Sequence, residues 1–118
     1  LNAITLDGTG TLVDLTDGSV PMFGTIAQAA LSGGEFGSWS GNTVNDGSVK
    51  YTGSGNDRDP ILVAVGGSIP SNVVTGYSTL DVNLDGLIKY TGTGNDRDLI
   101  LMNLPGSLVT GVRPEQLP

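Results

Sequence analysis

Ten residues of this chain occur twice. Lys50-Tyr51-Thr52-Gly53-Ser54-Gly55-Asn56-Asp57-Arg58-Asp59 returns 39 residues later as Lys89-Tyr90-Thr91-Gly92-Thr93-Gly94-Asn95-Asp96-Arg97-Asp98, with Ser54 alone replaced, by Thr93. A period of this size marks paired or stacked supersecondary units, so residues 41–118 must fold as two related halves, 41–79 and 80–118. Each copy runs into an apolar stretch, 61–65 and 99–104, which stops at Gly66-Gly67 or at Pro105-Gly106. Segments this short can be buried strands or brief helices. Pro60 suits a first helical turn, and the runs are read as one or two turns of helix opened by Asp59 and Asp98. Such helices are unstable alone and are expected to pack on each other.

The residues before the second copy carry a cation-loop pattern. Asp81, Asn83 and Asp85 place oxygen-bearing side chains at loop positions 1, 3 and 5, with Gly86 at 6 and Ile88 at 8. This is the front half of a calcium loop of the EF-hand kind, in which alternate residues turn inward and the glycine permits a sharp turn. Position 12 is Gly92, so closure is expected from Asp98, with Asp96 as a further candidate, after an insertion rich in Gly and Thr. The expected ligands are Asp81, Asn83, Asp85, the Leu87 carbonyl, Asp96 and Asp98. In the first half the matching candidates are Asn42, Asp46, Ser48, Asp57 and Asp59. There the charge at position 1 is lost, and Val44 supplies no ligand at position 3. Two calcium ions are expected, the second loop holding its ion more firmly. The same residues would also serve as ordinary turns and helix caps, which is the competing reading. Ile88 is expected to bridge to its repeat mate Val49. Arg58 and Arg97 are read as charge balance, and Tyr51 and Tyr90 as packing for the insertion.

Composition supports oxygen chemistry and excludes much else. Cysteine and histidine are absent, which removes disulfides, thiolate metal sites and histidine-based catalysis. Seven of the twelve acidic residues lie in the two loop segments, so two divalent ions would reduce the formal charge from −7 to −3. A charge of −7 also argues against nucleic acid or an anionic membrane surface as partner. No apolar run approaches a membrane span, so no membrane insertion is expected. The chain opens on leucine, which is read as a processed or excised piece of a longer protein.

Residues 1–40 read as a separate β-rich segment. Strands are expected over 1–6 and 11–16, with turns at Asp7-Gly8-Thr9-Gly10 and Asp17-Gly18-Ser19. A brief helix is expected over 25–31, ended by Gly33-Gly34. Phe36 and Trp39 are expected to anchor a strand leading into the first loop, with Trp39 packed in a core. The fold class is therefore α+β, mostly strand and loop: short N-terminal strands, then two loop-and-helix repeats.

The blocks Asp81–Ile88 and Asp98-Leu99-Ile100-Leu101 resemble the two halves of a dockerin type I repeat. The KYTGxGNDRD insertion resembles a variant near the C-termini of large extracellular surface proteins of Bacteroidota-type bacteria, which often end in an RPEQLP-like tail as here. The resemblance covers residues 41–118 firmly and 1–40 loosely, as the end of a preceding β-sandwich-like domain. It implies a secreted or cell-surface location and calcium-dependent folding. The leading expectation is a non-enzymatic structural or adhesive module, self-assembling through strand addition by residues 1–16. The alternative is a docking module that attaches a larger protein to a cohesin-like or other receptor. The carboxylates are better explained as ion ligands than as a glycosidase pair, and six aromatic residues with one Trp offer little to stack on sugars.

Overall fold

The computed structural model describes Gly8, Gly10 and residues 12–114. The strand expected over 1–6 lies outside the described residues. The chain divides into two compact units, Leu1–Trp39 and Ser40–Pro118. It is α+β, mostly strand and loop, with two short helices and several short antiparallel strands.

In the first unit, the strand expected over 11–16 is not formed by residues 12–16. Asp14 Oδ1 accepts both the backbone amide of Thr16, at 2.8 Å, and its hydroxyl, at 2.7 Å. A short polar side chain that captures its own backbone amide competes with a sheet ladder. The turn at Asp17 is present, with the Ser19 amide donating to Asp17 Oδ1 at 2.8 Å. The helix expected over 25–31 is instead a strand, β1 (Gln28–Ala30), paired antiparallel with β2 (Phe36–Ser38) in the register Ala29 to Gly37. A helix of seven residues needs a buried face to offset nucleation, no residue of 25–31 is fully buried, and Gly33-Gly34 supplies a reversal instead. Gly34 has φ 93°, and the Leu31 amide donates to the Glu35 carbonyl at 2.8 Å. Trp39 is half-buried, its indole N–H donating to the Ile26 carbonyl at 2.9 Å.

The second unit carries the repeat. In chain order its elements are β3 (Val49–Lys50), α1 (Arg58–Ala64), β4 (Val73–Thr75), β5 (Leu87–Lys89), α2 (Asp96–Met102), a 3₁₀ turn at Pro105–Ser107 and β6 (Val112–Arg113). The two apolar runs are helical, as read. The core is built from repeat mates: Val49 with Ile88, Ile61 with Ile100, Val65 with Leu104, joined by Tyr51 and Val82. Each seven-residue helix buries one isoleucine completely, Ile61 or Ile100. Burying such a side chain contributes roughly 1.5–3 kcal/mol, and that packing, rather than propensity, holds helices this short.

The expected bridge between Val49 and Ile88 is not made. Val49 pairs with Arg113 and Lys50 with Val112, whereas Ile88 pairs with Val74 and Lys89 with Val73. The 39-residue period explains the substitution, because Val73 and Val112 are themselves repeat mates. Each half sends a return strand, β4 or β6, onto the loop strand of the other half, in the same register both times. A pair of position-8 residues would join the loops through one residue each. The return strands join them through two or three, and side chains extend the seam. Thr52 Oγ1 donates to the Val109 carbonyl at 2.7 Å, and its mate Thr91 donates to the Pro70 carbonyl at 3.0 Å. Val49 and Ile88 remain free to face the core.

This exchange predicts that damage crosses between halves. A chain ended at Gly111, lacking β6, should lose amide-exchange protection at Val49 in the first half, while Lys50, whose amide is held by Asp57, and Leu87–Lys89 in the second stay protected. Loss confined to the second half, read by residue-resolved hydrogen exchange, would contradict the pairing.

Candidate metal loops

The loop at 81–88 is curled by its own oxygens. Asp81 accepts the amides of Asp85, at 3.1 Å, and Gly86, at 2.9 Å, on its two carboxylate oxygens. Asn83 Oδ1 accepts the Asp85 amide at 2.9 Å, and Asp85 Oδ1 accepts the Leu87 amide at 2.8 Å. The reversal needs left-handed backbone at Leu84 (φ 60°) and Gly86 (φ 80°). Glycine enters that region without the steric cost a Cβ brings, which is why position 6 of such a loop is a glycine.

The first loop has the same shape. Asn45 and Gly47, the mates of Leu84 and Gly86, have φ 56° and 82°. The Asp46 amide donates to Asn42 Oδ1 at 3.2 Å, and both the amide and the hydroxyl of Ser48 donate to Asp46 Oδ1, at 3.0 and 2.8 Å. Weakened as a ligand set, the loop keeps its conformation.

The distal carboxylates divide into two kinds. Asp96 is fully buried and accepts three backbone amides: Val82 at 2.7 Å, Asn83 at 3.3 Å and Lys89 at 2.8 Å. Asp57, also fully buried, accepts Thr43 at 2.7 Å, Val44 at 3.2 Å and Lys50 at 2.7 Å. These two side chains seal each loop to the strand that follows it. Asp98 and Asp59 lie in the first helical turns and face elsewhere. Asp98 takes Asn95 Nδ2 at 2.8 Å on one oxygen and Arg97 on the other; Asp59 repeats this with Asn56 and Arg58.

The helices are opened by asparagine rather than by Asp59 and Asp98. Asn95 Oδ1 accepts the Asp98 amide and Asn56 Oδ1 the Asp59 amide, each at 3.0 Å. Their Nδ2 groups reach back to the Gly92 and Gly53 carbonyls at 2.7 and 2.8 Å. One Asn thus holds the first helical turn and closes the insertion together, as the N-cap of α2 at Asn95 and one residue before the cap Asp57 in α1 at Asn56. The arginines also have a second role: the Arg58 guanidinium lies 5.1 Å from the Tyr51 ring centre and that of Arg97 5.0 Å from Tyr90.

Charge in the loops is locally compensated. The hydrogen bond from Lys50, followed by that from Ser48, holds the Asp46 carboxyl below the usual carboxylate range. Burial opposes ionisation of Asp85, but the Leu87 amide, Lys89 and Asn83 outweigh it and the carboxyl lies low. Asp98 is held low by Asn95, against burial, with help from Arg97. Burial pushes Asp57 up, and the amides of Lys50, Val44 and Thr43 only partly offset it; the charge of Asp46 adds to the rise.

The structure therefore gathers Asp81, Asn83 and Asp85 into one turn, and Asn42, Asp46 and Ser48 into its mate. It directs Asp57 and Asp96 to backbone amides, and Asp59 and Asp98 to Asn and Arg neighbours. Among the described residues, no group of three or more acidic side chains forms a metal-holding cluster. The donor set is all oxygen, which suits a hard cation in chemistry. Two pairs escaped the sequence reading, Asn56 with Asn95 and Lys50 with Lys89; their repetition at fixed spacing was the available signal. No protein-family model, curated protein or solved structure matches the chain.

Two outcomes follow. Asp96→Asn puts an NH₂ group among three amide donors, and leaving such a group unsatisfied costs about 1–3 kcal/mol. Its urea midpoint should fall accordingly, and an unchanged midpoint would show that the seal carries no stability. Asp46, Asp85 and Asp98 have lowered folded pKa values, so their contribution is present above the unfolded carboxylate value of about 3.9 and is lost as pH falls through the folded values. Asp57, shifted upward, has the opposite sign: its contribution is lost as pH rises through its folded pKa. Asp57→Asn should therefore flatten the stability profile on the neutral side of pH 4, and Asp98→Asn on the acid side, read by chemical denaturation across pH.

Proposed function

We propose that residues 41–118 form a calcium-stabilised, non-enzymatic extracellular module with a structural or adhesive role, related to tandem dockerin repeats. The observation that carries this reading is the curled turn of Asp81, Asn83 and Asp85 around left-handed Gly86, repeated 39 residues earlier around Gly47. Asp81, Asn83, Asp85 and the Leu87 carbonyl are the first ligands in the second loop; Asp96 and Asp98 would complete it only by giving up their present backbone-amide, Asn95 and Arg97 partners. Asn42, Asp46 and Ser48, with Asp57 and Asp59, make the weaker counterpart. Calcium supplies charge neutralisation there and fixes the loop that feeds β5. At 100 times its dissociation constant, an ion adds about 2.7 kcal/mol per site, a large share of the roughly 5–15 kcal/mol of a small domain.

A docking role is favoured by one further observation. Exposed apolar residues recur at the repeat period: Val63 with Met102, 73% and 66% exposed, and Ile69 with Leu108, each 61% exposed. Mated apolar positions left in solvent suit a receptor surface read in either half. In the segment named by the polymer reading, residues 12–16 form no strand, and residues 1–7 lie outside the described residues. No helix among the described residues is long and apolar enough to cross a membrane.

Calorimetric titration of metal-stripped protein with calcium, with magnesium as control, tests the reading. Two events are expected, the tighter one lost in Asp81→Ala and the weaker in Asp46→Ala. A folded chain that takes up no calcium at millimolar concentration would overturn it.

A further inference from the structure

Each loop contains a cation of its own. Lys89 Nζ lies 3.3 Å from Asp85 Oδ2, the position-5 oxygen not occupied by the Leu87 amide, and 3.5 Å from the Thr93 carbonyl in the insertion. Its mate Lys50 lies 2.9 Å from Asp46 Oδ2. The insertion fits closely over both ammonium groups. A Cβ on Gly94 would stand 3.6 Å from Lys89 Nζ, and one on Gly55 3.4 Å from Lys50 Nζ and 3.5 Å from Asp46 Oδ2. These distances are ordinary van der Waals contact, so glycine is required there by the left-handed backbone, φ 65° at each, and not by space. Both lysines sit at loop position 9, the same four residues beyond the position-5 carboxylate.

We infer that Lys50 and Lys89 are tethered counter-ions that hold the position-5 carboxylates in the metal-free loops, and that a divalent cation binds by displacing them. The inference rests on the calcium reading for its second half only. A lysine ammonium neutralises one charge with a point contact and keeps the insertion folded back over the loop. Calcium offers twice the charge and several oxygen contacts, but it must overcome an ammonium already in place and then tolerate that charge nearby. The lysine thus sets calcium affinity without being a ligand. It also explains how a loop with so many acids keeps its shape before an ion arrives.

The test is calcium titration of the metal-stripped full chain as wild type, Lys89→Met and Lys89→Arg, with hydrogen exchange of residues 91–94 in calcium-free buffer. Removing one positive charge within several ångströms of a dication should tighten second-loop binding on the order of tenfold, by an amount that shrinks at high salt. Lys89→Arg should bind as wild type does. In calcium-free buffer Lys89→Met should exchange faster across the insertion. Lys50→Met repeats the measurement in the first loop and serves if the first variant does not fold. Wild type and Lys89→Met binding calcium equally would overturn the displacement and leave the calcium reading standing. Binding by Lys89→Met alone would support it most directly. Binding by neither would overturn the calcium reading and the displacement with it. The exchange result decides the clamp separately: faster exchange supports it, and unchanged exchange overturns it.

Discussion

Two buried carboxylates organise the second unit. Asp57 and Asp96 each collect three backbone amides, two from the start of a loop and one from the strand that follows it. A carboxylate removed from water is costly unless its oxygens are satisfied, and here the donors are main-chain groups that would otherwise be unpaired at a turn. The loop is thereby drawn onto the helix that carries the acid. Strand, loop and helix are tied together through one side chain, and the packing around them depends on that closure. The partial positive charge at the start of each helix assists, since both acids sit at or beside the first helical residue.

How legible this was in the sequence differs from residue to residue. The repeat, the helices after Asp59 and Asp98 and the curled turn at Asp81 could be read, because each depends on neighbours within a few positions. The functions of the carboxylates could not be separated in the same way. Asp96 and Asp98 stand two residues apart with similar surroundings in sequence, yet one faces buried amides and the other a surface arginine. The difference is which side of a helical turn they occupy, and this is fixed only once Ile100 has chosen the core. The strand exchange was also out of reach. Strands of two or three residues carry no period, and the partner of Val49 lies more than sixty positions away at Arg113. In the first unit the helix expected over 25–31 is a hairpin strand, because Gly33-Gly34 reverses the chain within a few residues.

Electrostatics in the two halves is handled locally rather than by overall balance. The chain carries −7 in total, but every basic side chain in the repeats has an assigned contact. Lys50 and Lys89 face position-5 carboxylates, Arg58 and Arg97 lie over tyrosines beside Asp59 and Asp98, and Arg113 Nε donates to the Asn103 carbonyl. Excess negative charge is thus left outside these contacts. That repels acidic surfaces; seven acids and five bases leave residues 41–114 at −2, so most of the excess negative charge lies outside the loops.

The reciprocal exchange of return strands also fixes how many repeats such a chain can contain. A half that kept its own return strand could be added or deleted singly, as in solenoids where each unit meets only its neighbours. Here each half completes the other, so one copy alone has an open strand and three copies leave one unmatched. Synthesis meets the same constraint: β3 emerges more than sixty residues before the strand at 112–113 that covers it, and until then the first half has an unpaired edge.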